Sequence, residues 1–311
     1  MTPSTDTAPG EGRPTVMDFR WPPPPEGRPD RYRPPVSRGP QTGRPTLPTP
    51  PTELVATPHG VELECLANGT GEPVTVFAHG LAGGIADTRP FGSGVTGRKV
   101  FFHFRGHGQS ASPPGRWTYA DLARDLRAVA DLYGATRALG VSLGAGALCR
   151  LLADNPGRFD RLVFFLPAVL DQVRTAAARE RLEALLEAVQ AGDAAAVADA
   201  IAQETPAQVR NTPAAWAYIR QRLDQLMRDG LGTGLADLPE QVAVSDVAAL
   251  AEVRAPALVI GCRGDETHPT EVAERLAAAL PDARLHVYDR PGVLWTERAD
   301  LRERIAEFLN Q

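Results

Sequence analysis

One stretch limits what this chain can fold into: Ala138-Leu139-Gly140-Val141-Ser142-Leu143-Gly144-Ala145-Gly146. Apolar residues lead into Gly-x-Ser-x-Gly, and Leu148, Leu151 and Leu152 follow at helical spacing, so the order is strand, sharp turn, helix. Such a turn holds the serine backbone in a strained conformation and leaves its hydroxyl above the end of the strand. Small residues are needed at Gly140 and Gly144 to avoid collisions. The amide of Leu143 then opens a helix and faces any negative charge that develops beside the serine. The alternative is an ordinary strand-to-helix turn.

The rest of the chain sorts around that turn. The folded body starts near Glu53, where Leu54–Ala56, a Pro58-His59-Gly60 turn and Val61–Leu66 read as a hairpin with period-two alternation. Val74–Ala78 is a short buried strand running into His79-Gly80-Leu81-Ala82-Gly83-Gly84, and Lys99–Phe104 is another, running into Arg105-Gly106-His107-Gly108-Gln109-Ser110. Thr118, with Asp121 three positions on, opens a helix that stops at Gly134 and places Leu122, Leu126, Val129 and Leu132 on one face. Strands Thr136–Val141 and Leu162–Phe165 flank the helix that follows Ser142, and the sharp turn at Ser142 forms an elbow. This alternation predicts a mainly parallel α/β sheet covered on both faces. From 168 to 250 the alternation stops, and Ala-, Leu-, Glu- and Arg-rich sequence predicts inserted helices. It resumes with strand Ala257–Gly261, helix Glu271–Leu280, strand Arg284–Tyr288 and a helix over 299–309.

Residues 1–51 are of another composition, with about half of the chain's 29 prolines among Gly, Thr, Arg and Ser. They bury too little apolar surface to offset their ordering entropy, and a disordered tail is expected. A net charge of −5 gives no reason to expect a nucleic-acid or anionic-membrane partner. Cys65, Cys149 and Cys262 lie far apart without metal-ligand spacing, which predicts buried thiols in a reducing compartment. No apolar run reaches transmembrane length and the start lacks the order of a signal peptide, so the expected location is the cytoplasm. No metal and no cofactor is expected; the glycines near Ser142 have the wrong spacing for a dinucleotide site.

Four motifs in this order, over residues 53 to 311, resemble the α/β-hydrolase fold superfamily in its helically capped form. They are His79-Gly80, Arg105-Gly106-His107-Gly108-Gln109-Ser110, Gly140-Val141-Ser142-Leu143-Gly144 and Gly264-Asp265. The resemblance implies a catalytic Ser142, an acid at Asp265 and an oxyanion hole from the backbone amides of Leu81 and Leu143. It divides the chain into a tail (1–51), a core (52–167 with 251–311) and a helical cap (168–250). His107 reads as a structural loop residue, and His79 as one that shapes the pocket mouth.

The chain departs from the family at the base. The family's histidine follows the last strand, usually after a glycine; here Gly292 is followed by Val293, and no histidine comes after His286. Three readings stay open. A histidine from elsewhere substitutes, His268 or His286; or catalysis is weak and assisted by water or a carboxylate such as Glu297; or the fold is a degenerate scaffold that binds a ligand or protein partner. The favoured expectation is a serine hydrolase acting on a small-molecule ester-like or other acyl substrate, atypical at its base.

Overall fold

The computed structural model describes residues 51–205, 209–210 and 212–311. The expected tail lies outside the described residues, apart from Pro51. The chain opens with β1 (Glu53–Ala56) and β2 (Glu62–Asn68), followed by β3 (Val74–Ala78), the single-turn α1 (Ile85–Thr88) and β4 (Arg98–Phe102). Next come α2 (Tyr119–Tyr133), β5 (Arg137–Val141), α3 (Leu143–Asp154) and β6 (Arg161–Phe165). Helices α4 (Ala176–Ala191), α5 (Ala194–Glu204) and α6 (Pro213–Asp229) intervene before β7 (Ala257–Cys262). The chain closes with α7 (Thr270–Ala279), β8 (Ala283–Tyr288), α8 (Val293–Thr296) and α9 (Arg298–Leu309).

The eight strands form one sheet in the order β1-β2-β4-β3-β5-β6-β7-β8. The hairpin strands pair antiparallel, β1 with β2 and β2 with β4, and every other pair is parallel. This is the α/β sheet that the alternation predicts. Successive side chains of each strand enter opposite faces. Val76, Ala138, Phe164 and Val259 join Leu122, Leu126, Leu148 and Leu276 on one side. Phe77, Leu139, Phe165 and Ile260 join Ile85, Ile305 and Phe308 on the other. Burial on both faces explains why the central strands read as continuous apolar runs.

Thr118 precedes α2, its amide donating to the Asp121 carboxylate at 2.8 Å, and Gly134 ends the helix at φ 65°. One residue departs from the expected face: Leu132 is exposed, while Ala130 is buried. At 100° per residue Leu132 lies well around the helix from Leu122 and Leu126, so its apolar side chain faces away from the core. All three cysteines are buried and free. No helix among the described residues is long and apolar enough to cross a membrane.

Parallel strands bring their C-terminal ends to one edge of the sheet, where the loops after β3, β5 and β7 meet. Those loops carry His79–Gly84, Ser142 and Asp265.

Candidate active site

Ser142 is the single residue between β5 and α3, at φ 49° and ψ −105°. A non-glycine residue at positive φ is strained and persists only where its surroundings fix it. The Ser142 amide donates to the Phe165 carbonyl at 3.0 Å, and the Gly146 amide donates to the Ser142 carbonyl at 3.1 Å. The flanking glycines are required by close approach. A Cβ on Gly140 would stand 2.5 Å from the Gly144 oxygen, and one on Gly144 would stand 2.4 Å from the Ala78 oxygen. The start of α3 is thus pressed onto the end of β3, and Leu143 supplies one of the unpaired first-turn amides.

The loop after β3 reaches the same place. A Cβ on Gly80 would lie 3.4 Å from the Ser142 Cβ. From Leu81 to Ile85, four of the five successive amides have acceptors. Ala82 donates to His107 Nε2, Gly83 to the Gly80 carbonyl, Gly84 to Asp87 and Ile85 to His103 Nε2. The Leu81 amide has none among the described residues. His79 is fully buried behind this loop, with Nδ1 2.7 Å from the Gly80 oxygen, so it shapes the loop from beneath and does not stand at a pocket mouth.

The third loop, between β7 and α7, holds both Asp265 and His268. Asp265 Oδ1 accepts the amides of Thr267 and His268 at 3.0 and 2.9 Å, which folds the segment into a tight turn. That turn swings the His268 ring back, so that Nδ1 lies 3.0 Å from Asp265 Oδ2 and Nε2 lies 2.9 Å from Ser142 Oγ. Burial alone would raise the Asp265 carboxyl, but the His268 hydrogen bond and charge, with the two amides, outweigh it and hold the group below the usual carboxylate range. An ionised Asp265 accepts a hydrogen bond from His268 Nδ1–H, leaving the Nε2 lone pair toward the serine.

The other candidates lie elsewhere. Val293 is buried in the apolar cluster that contains Ile260, Tyr288, Leu301 and Ile305, following Gly292 at φ 92°. His286 sits in β8 with its ring edge-on to Tyr288. Glu297 is exposed at the start of α9. Neither makes a hydrogen bond to Ser142. After Val293, Leu294 and Trp295 line a cavity of about 200 Å³ with Tyr218 and Arg222. The Tyr218 and Trp295 rings meet edge-on at 5.1 Å.

The helices between β6 and β7 reach these same loops. Arg222 of α6 donates to Asp87 at 2.7 Å, the carboxylate that also accepts the Gly84 amide. Arg181 of α4 pairs with Glu266, next to the candidate acid. Neither link is visible in the spacing of the sequence.

The family described as alpha/beta hydrolase fold matches residues 73–292, well over half of the chain. The chain belongs to that family. The 2-hydroxy-6-oxononadienedioate/2-hydroxy-6-oxononatrienedioate hydrolase of Paraburkholderia phymatum is 27% identical over 286 residues, covering 81% of this chain and 93% of that protein. The solved enol-lactonase from Burkholderia xenovorans LB400 superposes with a TM-score of 0.68 at 23% identity, over 83% of this chain and 100% of that one. An esterase from Exiguobacterium antarcticum gives a TM-score of 0.67 at 17% identity, over 83% and 99%. At those identities the two structures speak for the fold alone. The expectation of a hydrolase agrees with the family and with its relatives.

Proposed function

We propose that this member of the family is a serine hydrolase that acts on a small ester-like or other acyl substrate. In this reading Ser142 is the nucleophile, His268 the general base and Asp265 the acid that orients the base. The observation that carries it is the unbroken chain from Ser142 Oγ through both nitrogens of His268 to Asp265, with separations of 2.9 and 3.0 Å. A neutral hydroxyl needs a base within hydrogen-bond reach, and His268 meets that requirement where Val293 cannot.

The reaction then runs in two halves. Ser142 Oγ attacks the acyl carbon as its proton passes to His268 Nε2, and Asp265 stabilises the imidazolium across Nδ1–H. The carbonyl oxygen becomes an oxyanion, received by the Leu143 amide at the start of α3 and by the unpaired Leu81 amide. One such donor is worth about 2.7–4 kcal/mol of transition-state stabilisation. His268 returns the proton to the leaving group, and water, activated by the same nitrogen, releases the acyl group from Ser142.

Residues 168–250 act in this reading as a cap over a core made of 52–167 and 251–311. The Arg222–Asp87 and Arg181–Glu266 pairs support that role, because they join the inserted helices to the two loops beside Ser142. A fluorophosphonate probe followed by peptide mapping tests the assignment. The label is expected on Ser142, absent from Ser142→Ala and strongly slowed in His268→Ala. Labelling that ignores both substitutions would sink it.

A further inference from the structure

Three buried imidazoles stand behind the loop that carries Leu81, and none of them belongs to the reacting chain of groups. His79 accepts the Phe104 amide at Nε2 (3.0 Å) and faces the Gly80 carbonyl with Nδ1. His107 accepts the Ala82 amide at Nε2 (3.2 Å) and faces the Arg105 carbonyl with Nδ1 at 3.1 Å. His103 accepts the Ile85 amide at Nε2 (3.1 Å), and its Nδ1 lies 2.7 Å from Glu64 Oε2. A backbone amide can only donate, so every Nε2 is unprotonated, and every Nδ1 facing an oxygen carries the hydrogen. All three rings are held as one neutral tautomer. The His79 ring packs edge-on against both others, at 5.6 Å from His103 and 4.7 Å from His107. Burial drives His79 well below its ordinary range and His107 down to about 3, in keeping with that state.

The loop they hold needs holding. Ala82, immediately after Leu81, lies at φ 55°, a strained position for a residue with a Cβ. Its amide is the one that His107 accepts. The Gly80 carbonyl is fixed by His79 Nδ1–H and the Gly83 amide, so the far side of the same peptide, the Leu81 N–H, is aimed away from both. Glu64 in turn has the geometry of an orienting group. Its Oε2 accepts both His103 Nδ1–H and the Gln109 amide, the latter at 2.8 Å, and only 7% of the residue is exposed.

We propose that His103 and Glu64 are positioning residues for acyl transfer: Glu64 fixes the tautomer of His103, and His103, with His79 and His107, holds the loop that presents the Leu81 amide. This rests on the reading of Ser142 as nucleophile and Leu81 as an oxyanion donor. Displacing a donor weakens the transition state more than the bound substrate, so the loss falls on kcat and not on KM.

The test uses the full chain with a p-nitrophenyl ester as substrate and benzeneboronic acid as a tetrahedral analogue, alongside thermal unfolding. His103→Leu and Glu64→Leu are expected to lower kcat by about tenfold or more, the scale of a small misplacement at a reacting centre. KM should stay within about twofold, and boronate inhibition should weaken in parallel with kcat. Glu64→Gln keeps an oxygen for both donors, and His103→Gln keeps one for the Ile85 amide. Both are expected to retain kcat within about threefold of wild type. Folded leucine variants with unchanged kcat and boronate affinity overturn the inference, as do glutamine variants as damaged as the leucine ones. If neither leucine variant folds, the inference fails too, because the pair then serves the fold and not the amide. Turnover that survives Ser142→Ala overturns the underlying hydrolase reading. Turnover that needs Ser142 yet ignores the leucine substitutions overturns this inference alone.

Discussion

His268 Nε2 lies 2.9 Å from Ser142 Oγ although the two residues are 126 positions apart, and Asp265, which holds the other ring nitrogen, precedes His268 by only three. One turn of chain thus supplies both partners of the serine. Asp265 acts twice within it, one oxygen fixing the backbone of the turn and the other fixing the ring that the turn displays. Asp265 and His268 can move only together, so the distance to Ser142 depends on the packing of the β7–α7 loop, where Thr270 Oγ1 donates to the Cys262 carbonyl at 2.8 Å.

With His268 as the base, the reading proposed above, Val293 has only a packing task, and substitutions separate the two sites. His268→Ala is expected to lower kcat/KM for an activated ester by roughly 10²–10⁴-fold. Val293→His is expected to bring no gain in rate. It places an imidazole in an apolar cluster where the valine is 2% exposed, and it should lower the melting temperature through a burial cost of about 1–3 kcal/mol. A rate gain in Val293→His would favour the usual base loop over the β7–α7 turn.

The elbow was legible because its requirements are local: two glycines, a serine and the apolar runs around them lie within fifteen residues. The sheet was legible for the same reason, since alternation and helical spacing are periodic signals. His268 could be named only as one of several candidates. The direction of its ring follows from a turn made by the Asp265 carboxylate, and loop conformations carry no period. Glu64 and His103 were invisible as a pair. Antiparallel pairing of β2 with β4 sets Cys65 opposite Phe102 and so brings the next two residues together, with the His103 amide 2.8 Å from the Glu64 carbonyl. Leu132 is the opposite case, an apolar side chain that stays exposed on α2, so hydrophobic character alone does not place a residue in the core.

Gly144→Ala tests how tightly the elbow is built. The added Cβ would meet the Ala78 oxygen at 2.4 Å and the Ala78 carbonyl carbon at 2.7 Å, both backbone atoms that cannot swing aside. Overpacking of this kind costs about 1–3 kcal/mol, and rigid neighbours place this site at the upper end. Thermal unfolding should show a clear drop in melting temperature together with lost activity, because α3 must retreat from β3. Gly157, whose added Cβ would meet nothing within 4 Å, is the control expected to leave both nearly unchanged.

Glu64 makes stability depend on pH in a defined window. Burial would raise its carboxyl, but hydrogen bonds from His103 and the Gln109 amide outweigh this and hold it at about 2, against 4.5 for a free glutamate. The folded value lies below the unfolded one, so the ionised group stabilises the fold fully above about pH 4.5. That contribution is lost as pH falls through the window toward 2. Urea unfolding of wild type and Glu64→Gln, compared at steps from pH 7 to 3, isolates the group. The stability gap between them should be constant above about pH 5.5 and shrink below about 4.5. A gap that does not change with pH would mean that the charge on Glu64 contributes nothing.

Asp265→Asn separates the two duties proposed for Asp265. With its oxygen toward the turn, the asparagine still accepts the amides of Thr267 and His268, so the loop keeps its shape. Its NH₂ group then faces His268 Nδ1, which must become the acceptor, and the ring proton moves to Nε2, toward Ser142. In that tautomer the base points a hydrogen at the hydroxyl it should deprotonate, and no carboxylate remains to stabilise the imidazolium. The expected loss in kcat is large, up to the ~10⁴-fold seen when a triad acid becomes its amide, with little change in melting temperature. Asp265→Ala removes both duties and should lose stability as well as rate. Equal melting temperatures for the two variants would show that the carboxylate does not shape the turn. A rate for Asp265→Asn within a few fold of wild type would show that His268 does not depend on Asp265 for its tautomer, and the chain from Ser142 to the acid would then have to be redrawn.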